Sequence, residues 1–370
     1  MTIGVLKERA GENRVFLLPE HLPALLKKEH KILVEKNAGA ASFAGDDQYK
    51  EAGAEIVSRE KVLEGADILL SIHAPEDEIQ KDKVLISVLN PLSGKETTDK
   101  LLKEGVHAFS LDMIPRSTRA QAVDVLSSMA TVAGYKAVLV AAAELPGFFP
   151  MFMSASGTIK PSRVLILGAG VAGLQALATA RKLGAVVEVF DVRSAVKEEV
   201  LSLGGKFVEV EGATDDDSAG GYAVEQTEDY KQKQAELIHQ HALQSDVVIT
   251  TAQIPGKAAP LLIKKSTVEA MKAGSVIIDL ASSTGGNCEL TSDGEKVEHK
   301  GVSIIGSSNY ASTVPADASK MMGRNLLNFL DLMYDEEGKL DPGKEDEIIQ
   351  ATCITKGGVL VSERLKEHYG

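Results

Sequence analysis

The sequence predicts an α/β protein: two doubly wound domains with mainly parallel sheets, joined by two long helices around a cleft. Three observations predict it. Short apolar runs rich in Val, Ile and Leu alternate with helical patterns almost throughout, as expected for strands buried beneath crossover helices. With 370 residues, 44% of them hydrophobic, the chain is long for one core and natural for two. The run Val164-Leu-Ile-Leu-Gly-Ala-Gly-Val-Ala-Gly-Leu174 reads as a strand, a glycine turn and a helix start, the opening of a βαβ unit.

Taken in order, the first domain has candidate strands at Thr2–Leu6, Lys31–Val34, Ile68–Ile72, Val84–Val88 and Val106–Leu111. Helical segments at Pro19–Lys28, Gln48–Ala52, Arg59–Leu63 and Lys95–Glu104 separate them, punctuated by Gly39, Gly53, Gly65 and Gly105. A long apolar helix near Ala120–Leu145 crosses to the second domain, and Ser154–Pro161 is a loop. Strands follow at Val164–Leu167, Val186–Phe190, Phe207–Val210, Val247–Thr250, Val276–Leu280 and Val302–Ile305. Cys288–Val302 reads as a hairpin turning at Ser292-Asp-Gly. A last helix, Asp317–Tyr334, carries the chain back, and Ile348–Val361 completes the first domain. The expected domains are therefore 1–130 plus 325–370, a Rossmann-like N-terminal domain, and 131–324, a nucleotide-binding domain with the linking helices.

Bulk properties exclude several classes. The formal charge is −13, so no basic stripe releases counterions from a nucleic acid. The longest apolar run, Ala137–Pro150, contains Glu144 and reads as too short and too broken to span a bilayer. The first residues, Met1-Thr-Ile-Gly-Val-Leu-Lys-Glu, read as a strand rather than a leader, and a cytoplasmic protein is expected. Cys288 and Cys353 lack ligand spacing and read as reduced structural thiols. No metal is expected. Asp215-Asp-Asp217 has no second cluster to support a cation and reads as solvated loop. The loop Gly212–Asp229 is long for a βα connection, with Gly220-Gly221 as a candidate hinge.

The glycine run is part of a complete dinucleotide fingerprint. Gly168 permits the tight turn, Gly170 lets the backbone approach a pyrophosphate, and Gly173 lets the helix pack close to the strand. The helix amino end offers N–H groups and partial positive charge to phosphates. Eighteen residues after Gly173, the strand Val186–Phe190 ends in Asp191. Its carboxylate would accept from a ribose 2′-hydroxyl and repel a 2′-phosphate, which favours NAD(H) over NADP(H). Arg193, two residues on, works against that preference. A ligand-free α/β turn would satisfy the same spacing.

A second segment, Arg116-Ser-Thr-Arg-Ala-Gln-Ala-Val-Asp-Val-Leu-Ser127, carries polar residues in an apolar stretch. Gln121, Asp124 and Ser127 are three apart and on a helix would share a face. A solvated helix start, with Asp124 at its positive end, fits the same pattern. This segment resembles the nicotinamide loop of the NAD(H)-binding subunit of proton-translocating transhydrogenases. So do Phe149–Thr158, Asp191–Glu198, Ser202–Phe207, Ala219–Ala223, Thr250–Pro260 and Asp279–Asn287 resemble matching stretches of that subunit, so that the likeness runs nearly end to end. It implies that Arg116, Gln121, Asp124 and Ser127 hold the nicotinamide and its ribose. Val171, Ala172 and Gly173 would face the pyrophosphate, and Asp191, Val192 and Arg193 the adenosine ribose. The loop bearing Gly221 and Tyr222 would close over the nucleotide, with Gln234 nearby and Gln253 on the adenine side. Gln253 and Gln226 stand where relatives usually have Leu and Met. The resemblance further implies a homodimer, with the Cys288–Val302 hairpin as candidate interface. It also implies membrane-embedded translocase partners that include an NADP(H)-binding domain, and a place at the inner membrane face through them.

The nearest rival is alanine dehydrogenase, which shares the two-domain plan and a stretch like Lys7–Glu20. Oxidising an amino acid needs a cation for the carboxylate and a group that moves protons. Resemblance to that family places its substrate lysine within Ser71–Pro75, where His73 stands, and its histidine within Phe109–Met113, where none stands. Its acidic residue falls near Ser283. Arg14 remains. Hydride transfer between two nicotinamides moves no proton at the reacting carbon and needs orientation and closeness instead. A non-catalytic NAD(H)-binding protein on the same fold is a third reading. His73 reads either as a weak acid or base or as a capped side chain.

Overall fold

The computed structural model describes residues 1–210 and 227–370. The chain divides into two compact units, Met1–Met129 with Ser312–Gly370, and Ala130–Ala311. Unit 1 begins with β1 (Thr2–Val5), β2 (Lys31–Glu35), β3 (Glu55–Val57), β4 (Ile68–Leu70), β5 (Val84–Ser87) and β6 (His107–Ser110). Unit 2 holds β7 (Phe152–Ser154), β8 (Gly157–Ile159), β9 (Arg163–Leu167), β10 (Val186–Phe190) and β11 (Lys206–Val208). It continues with β12 (Val247–Thr250), β13 (Val276–Asp279), β14 (Lys296–His299) and β15 (Val302–Gly306). The chain then returns to unit 1, which ends with β16 (Cys353–Lys356) and β17 (Val359–Leu360).

The unit 1 sheet is ordered β17-β16-β6-β5-β4-β1-β2-β3. Its first six strands in sequence are parallel, with Ile3 beside both Ile32 and Ile68. The two C-terminal strands add antiparallel. β4 and β5 are buried along their whole length, so their sequences read as continuous apolar runs rather than alternating ones. One face packs Ile3, Val5, Phe16 and Phe109 against Met322, Leu326, Phe329 and Leu330 of the helix Pro315–Leu332. The other packs Leu33, Leu69 and Leu85 against Val62 and Leu101. That long helix lies wholly in unit 1, and the chain re-enters the unit between residues 311 and 312. It is thus a core element, not the second linker the sequence suggests.

The unit 2 sheet is ordered β11-β10-β9-β12-β13-β15-β14. All pairs are parallel except β14 with β15. From β9 the chain winds outward through β10 to β11, then restarts at β12 on the other side of β9. The switch point lies between β9 and β12, where doubly wound sheets place their ligands.

Several local expectations shift. The hairpin spans Lys296–Gly306 rather than Cys288–Val302. Its turn is Lys300-Gly301, both with positive φ (48° and 80°), the primed turn that matches strand twist. Residues 288–291 instead wrap around Asp279. The segment 154–161 is not all loop, because β7 and β8 form a small antiparallel hairpin. β3 also escapes the sequence reading, being only three residues long. The long helix runs Val125–Glu144. Among the described residues it is the one helix long and apolar enough to cross a membrane, at mean hydropathy 1.5. Ala137, Val138 and Ala141 on it are nevertheless fully buried in the unit 2 core.

Candidate functional sites

The fingerprint glycines lie at the carboxyl end of β9, and each has a geometric reason. Gly168 takes φ of 108°, a conformation side chains other than glycine rarely adopt. A Cβ on Gly173 would lie 1.8 Å from the Gly168 carbonyl oxygen, so the helix Val171–Lys182 meets the turn backbone to backbone. A Cβ on Gly170 would meet nothing within 4 Å, which leaves room for a bulky anion. Gly170 is the N-cap of that helix and no side chain caps it. The first-turn N–H groups of Val171, Ala172 and Gly173 therefore face the same opening, and the helix dipole makes it electropositive. Val171 is exposed and Ala172 half-buried. This cradle fits a dinucleotide pyrophosphate.

Asp191 follows β10 immediately. Its carboxylate accepts from the backbone N–H of Ala169 (2.7 Å) and of Arg193 (2.9 Å). It also receives the Arg193 side chain through Nε (2.9 Å) and Nη2 (2.7 Å). The bond to Asp191 is the main reason the Arg193 guanidinium is held above its usual pKa. Val192 is half-buried between them. Arg193 thus grips the acid instead of standing ready for a 2′-phosphate. Across the switch, the Thr251 hydroxyl donates to the carbonyl of Gly168 (3.2 Å). Gln253 is exposed, with its Nε2 donating to the Leu280 carbonyl (3.1 Å). Gln234 is half-buried on the helix Glu228–Gln244. Gly220, Gly221, Tyr222, Gln226 and the run Asp215–Asp217 lie outside the described residues.

Three supporting residues have no special mark in the sequence. Asp279, fully buried at the end of β13, takes N–H bonds from Ala281, Asn287 and Cys288 and the hydroxyl of Thr291. Asn287 clamps the loop after β12, accepting from Ala252 N–H and donating to the carbonyls of Ala252 and Pro260. Thr251 is the third. The only sequence trace of Asp279 and Asn287 is that they end the family-like stretch Asp279–Asn287.

In unit 1, Gln121, Asp124 and Ser127 do not share one helical face. Gln121 lies in a 3-10 turn, Thr118–Val123, and Asp124 is extended. Asp124 accepts the N–H (2.9 Å) and hydroxyl (2.5 Å) of Ser127, so it caps the start of the helix Val125–Glu144. Gln121 is exposed on that turn, and Arg116 lies just before it.

Arg14 and His73, the groups an amino acid oxidation would need, are bound to an internal acid. Arg14 Nε reaches Glu12 Oε1 (2.8 Å) and Nη2 reaches Oε2 (2.6 Å). His73 Nε2 lies 3.0 Å from the same Oε2. Burial alone would raise the Glu12 carboxyl, but bonds from Arg14 and His73 outweigh it and hold it well below the usual range. Burial pushes the neighbouring Glu8 up. Burial also pushes the thiols of Cys288 and Cys353 up to about 11, which makes them poor nucleophiles. Among the described residues no group of three His, Cys, Asp or Glu side chains is arranged to hold a metal ion.

These features define a class, a two-domain α/β oxidoreductase fold with a dinucleotide crevice in its second unit. Family models for the alanine dehydrogenase/PNT N-terminal and C-terminal domains match residues 4–133 and 137–363, and the chain belongs to that family. It is 44% identical over 379 aligned residues to the first part of NAD(P) transhydrogenase subunit alpha from Rhodospirillum rubrum, covering 99% of each chain. The crystal structure of transhydrogenase from Sinorhizobium meliloti superposes with TM-score 0.89 at 38% identity, covering 98% of this chain and 100% of that one. An L-alanine dehydrogenase structure superposes at 0.82 with 24% identity over 100% and 99% of the chains, a likeness of fold.

Two outcomes follow from this geometry. Gly173→Ala drives a methyl into the Gly168 carbonyl, and a fluorescence titration with NADH is expected to show roughly tenfold weaker binding. The Glu12 carboxyl is held low, so its ion pair contributes stability that is complete above the unfolded carboxylate pKa of about 4.3. That stability drains as pH falls from there toward the lowered folded value. Glu8, with its raised pKa, tilts the other way. Melting curves of wild type and Glu12→Gln between pH 3 and 7 are therefore expected to draw together as acid is added, with the lead of wild type largest at the upper end.

Proposed function

We propose that this chain is the NAD(H)-binding subunit of a proton-translocating transhydrogenase. Hydride passes between the nicotinamide bound here and NADP⁺ bound on a partner subunit. The observation that carries this reading is the end-to-end match, 44% identity across 99% of both chains, to an NAD(P) transhydrogenase subunit. The intact glycine cradle supports it independently.

NAD(H), when bound, supplies the carbon that gives or accepts hydride. The chain's own residues supply binding and orientation. The amino end of the helix Val171–Lys182 offsets pyrophosphate charge. Asp191 accepts from ribose hydroxyls and repels a 2′-phosphate, while Val192 and Arg193 border it. Gln234 and Gln253 flank the adenosine side. Arg116, Gln121, Asp124 and Ser127 orient the nicotinamide. No proton moves at the reacting carbon, so these groups contribute placement rather than acid–base catalysis. The proposal extends to a homodimer associated, through membrane-embedded partners, with the cytoplasmic face of a membrane.

A second reading is an amino acid dehydrogenase using Arg14 and His73. The pairing of both with Glu12 argues against it, because a substrate carboxylate would have to displace an internal one.

Asp191→Ala is expected to lower the NADH-over-NADPH binding ratio by about tenfold, read by equilibrium dialysis. Gln121→Ala is expected to slow hydride transfer to an NADP⁺ analogue on an added partner domain by about tenfold or more, with NADH affinity changed far less. Unchanged turnover in that variant would refute the role given to the loop. NAD⁺ reduction driven by any member of an amino acid panel would favour the second reading.

A further inference from the structure

Between β12 and the helix Lys265–Ala270, residues 251–262 form neither helix nor strand. They leave the switch point of unit 2, so where this loop finds its hydrogen bonds decides how firmly one wall of the crevice stands. Its first residue is tied to the glycine turn. Thr251 N–H donates to the Leu167 carbonyl (2.9 Å), and the Thr251 hydroxyl to that of Gly168 (3.2 Å). Beyond Thr251 the bonds converge on one residue, Asn287.

Asn287 is fully buried in the loop after β13, where its own N–H donates to Asp279 (2.7 Å). Its side-chain amide takes the start and the end of the β12 loop together. Oδ1 accepts from Ala252 N–H (3.0 Å), and Nδ2 donates to the carbonyls of Ala252 (2.9 Å) and Pro260 (2.8 Å). The Asn287 backbone carbonyl accepts from the N–H of Leu262 (2.8 Å) and of Ile263 (2.9 Å). Two further bonds join the same pair of segments, Ala259 N–H to the Thr284 carbonyl (2.8 Å) and Gln253 Nε2 to the Leu280 carbonyl (3.1 Å). Asparagine suits the place because it offers one acceptor and two donors at short reach, whereas aspartate has no donor. The pair Ala252-Gln253 is thus held from behind by a residue that never reaches the surface.

We propose that Asn287 is a positioning residue for the nucleotide. By closing the β12 loop at both ends it holds Ala252 and Gln253 at the rim of the crevice. It thereby sets affinity for the adenosine half and takes no part in hydride transfer. The inference rests on the reading above, which puts the adenosine beside Gln253. A wall ordered in advance spares the nucleotide the cost of ordering it. Without the amide, the Ala252 N–H and the carbonyls of Ala252 and Pro260 lose their partners, and the nucleotide has to gather a loosened loop.

The test compares wild type with Asn287→Ala as full chains, by calorimetric titration with NADH, ADP-ribose and 5′-AMP. The Kd of all three is expected to rise together, by about tenfold. With an added NADP(H)-binding partner domain, KM for NADH is expected to rise in step while kcat at saturating NADH stays within about twofold. A residue that only stabilised the fold would lower the melting temperature and leave the Kd of the folded protein where it was. Should Asn287→Ala not fold, amide exchange on wild type decides. The N–H groups of Ala252, Leu262, Ile263, Asn287 and Cys288 are expected to slow together on addition of 5′-AMP, and by more than those of β4 and β5. Unaltered Kd in the folded variant, a loss for NADH not shared by 5′-AMP, a kcat that falls with affinity, or slowing no greater than in β4 and β5 overturns the inference. The titrations need no partner, so failure of hydride transfer in wild type strikes the proposed function and leaves them decisive. A wild type that binds none of the three nucleotides overturns both.

Discussion

The approach of two backbones at Gly168 and Gly173 is the constraint on which the nucleotide site depends. The helix Val171–Lys182 comes so close to the end of β9 that a Cβ on Gly173 has no room. That closeness aims the uncapped first turn of the helix at the switch between β9 and β12, where N–H groups and dipole act on the same volume. Asp191 completes the geometry from β10, tying the turn through Ala169 N–H while fixing Arg193. Behind it, Asp279 and Asn287 hold the loops after β12 and β13 through backbone bonds. The exposed edge of the crevice thus rests on buried polar contacts whose loss would leave N–H and carbonyl groups unpaired.

Unit 1 uses the same topology differently. Its switch point is closed by an ion pair from within, with Arg14 and Glu12 nearly buried. A buried pair of this kind is poor evidence of stabilisation, because desolvation offsets much of the attraction. One winding pattern, used twice, leaves an uncapped helix start in one unit and an internal ion pair in the other.

Much of this is legible in the residues. The fully buried parallel strands announce themselves as continuous apolar runs, and the glycine fingerprint puts turn, helix start and acid in register. What stays hidden is set by tertiary contact. Gln121, Asp124 and Ser127 have helical spacing, yet the helix begins only after Asp124, whose side chain is used in capping it. The turn at Lys300-Gly301 escapes notice because Ser292-Asp-Gly is the stronger local turn signal, while Asp279 holds Asn287, Cys288 and Thr291 in a loop around its carboxylate. β3 is too short to show a period. Glu12 looks like one more acid in a charged N-terminal stretch, since nothing in a sequence tells that His73, 61 positions away, meets the same oxygen.

The most direct measurement is hydride exchange between NADH and an NADP⁺ analogue, run with the purified chain alone and with an added NADP(H)-binding partner domain. The account predicts exchange only when the partner is present, saturating as partner is added. Reduction of the analogue by the chain alone, indifferent to the partner, would contradict it.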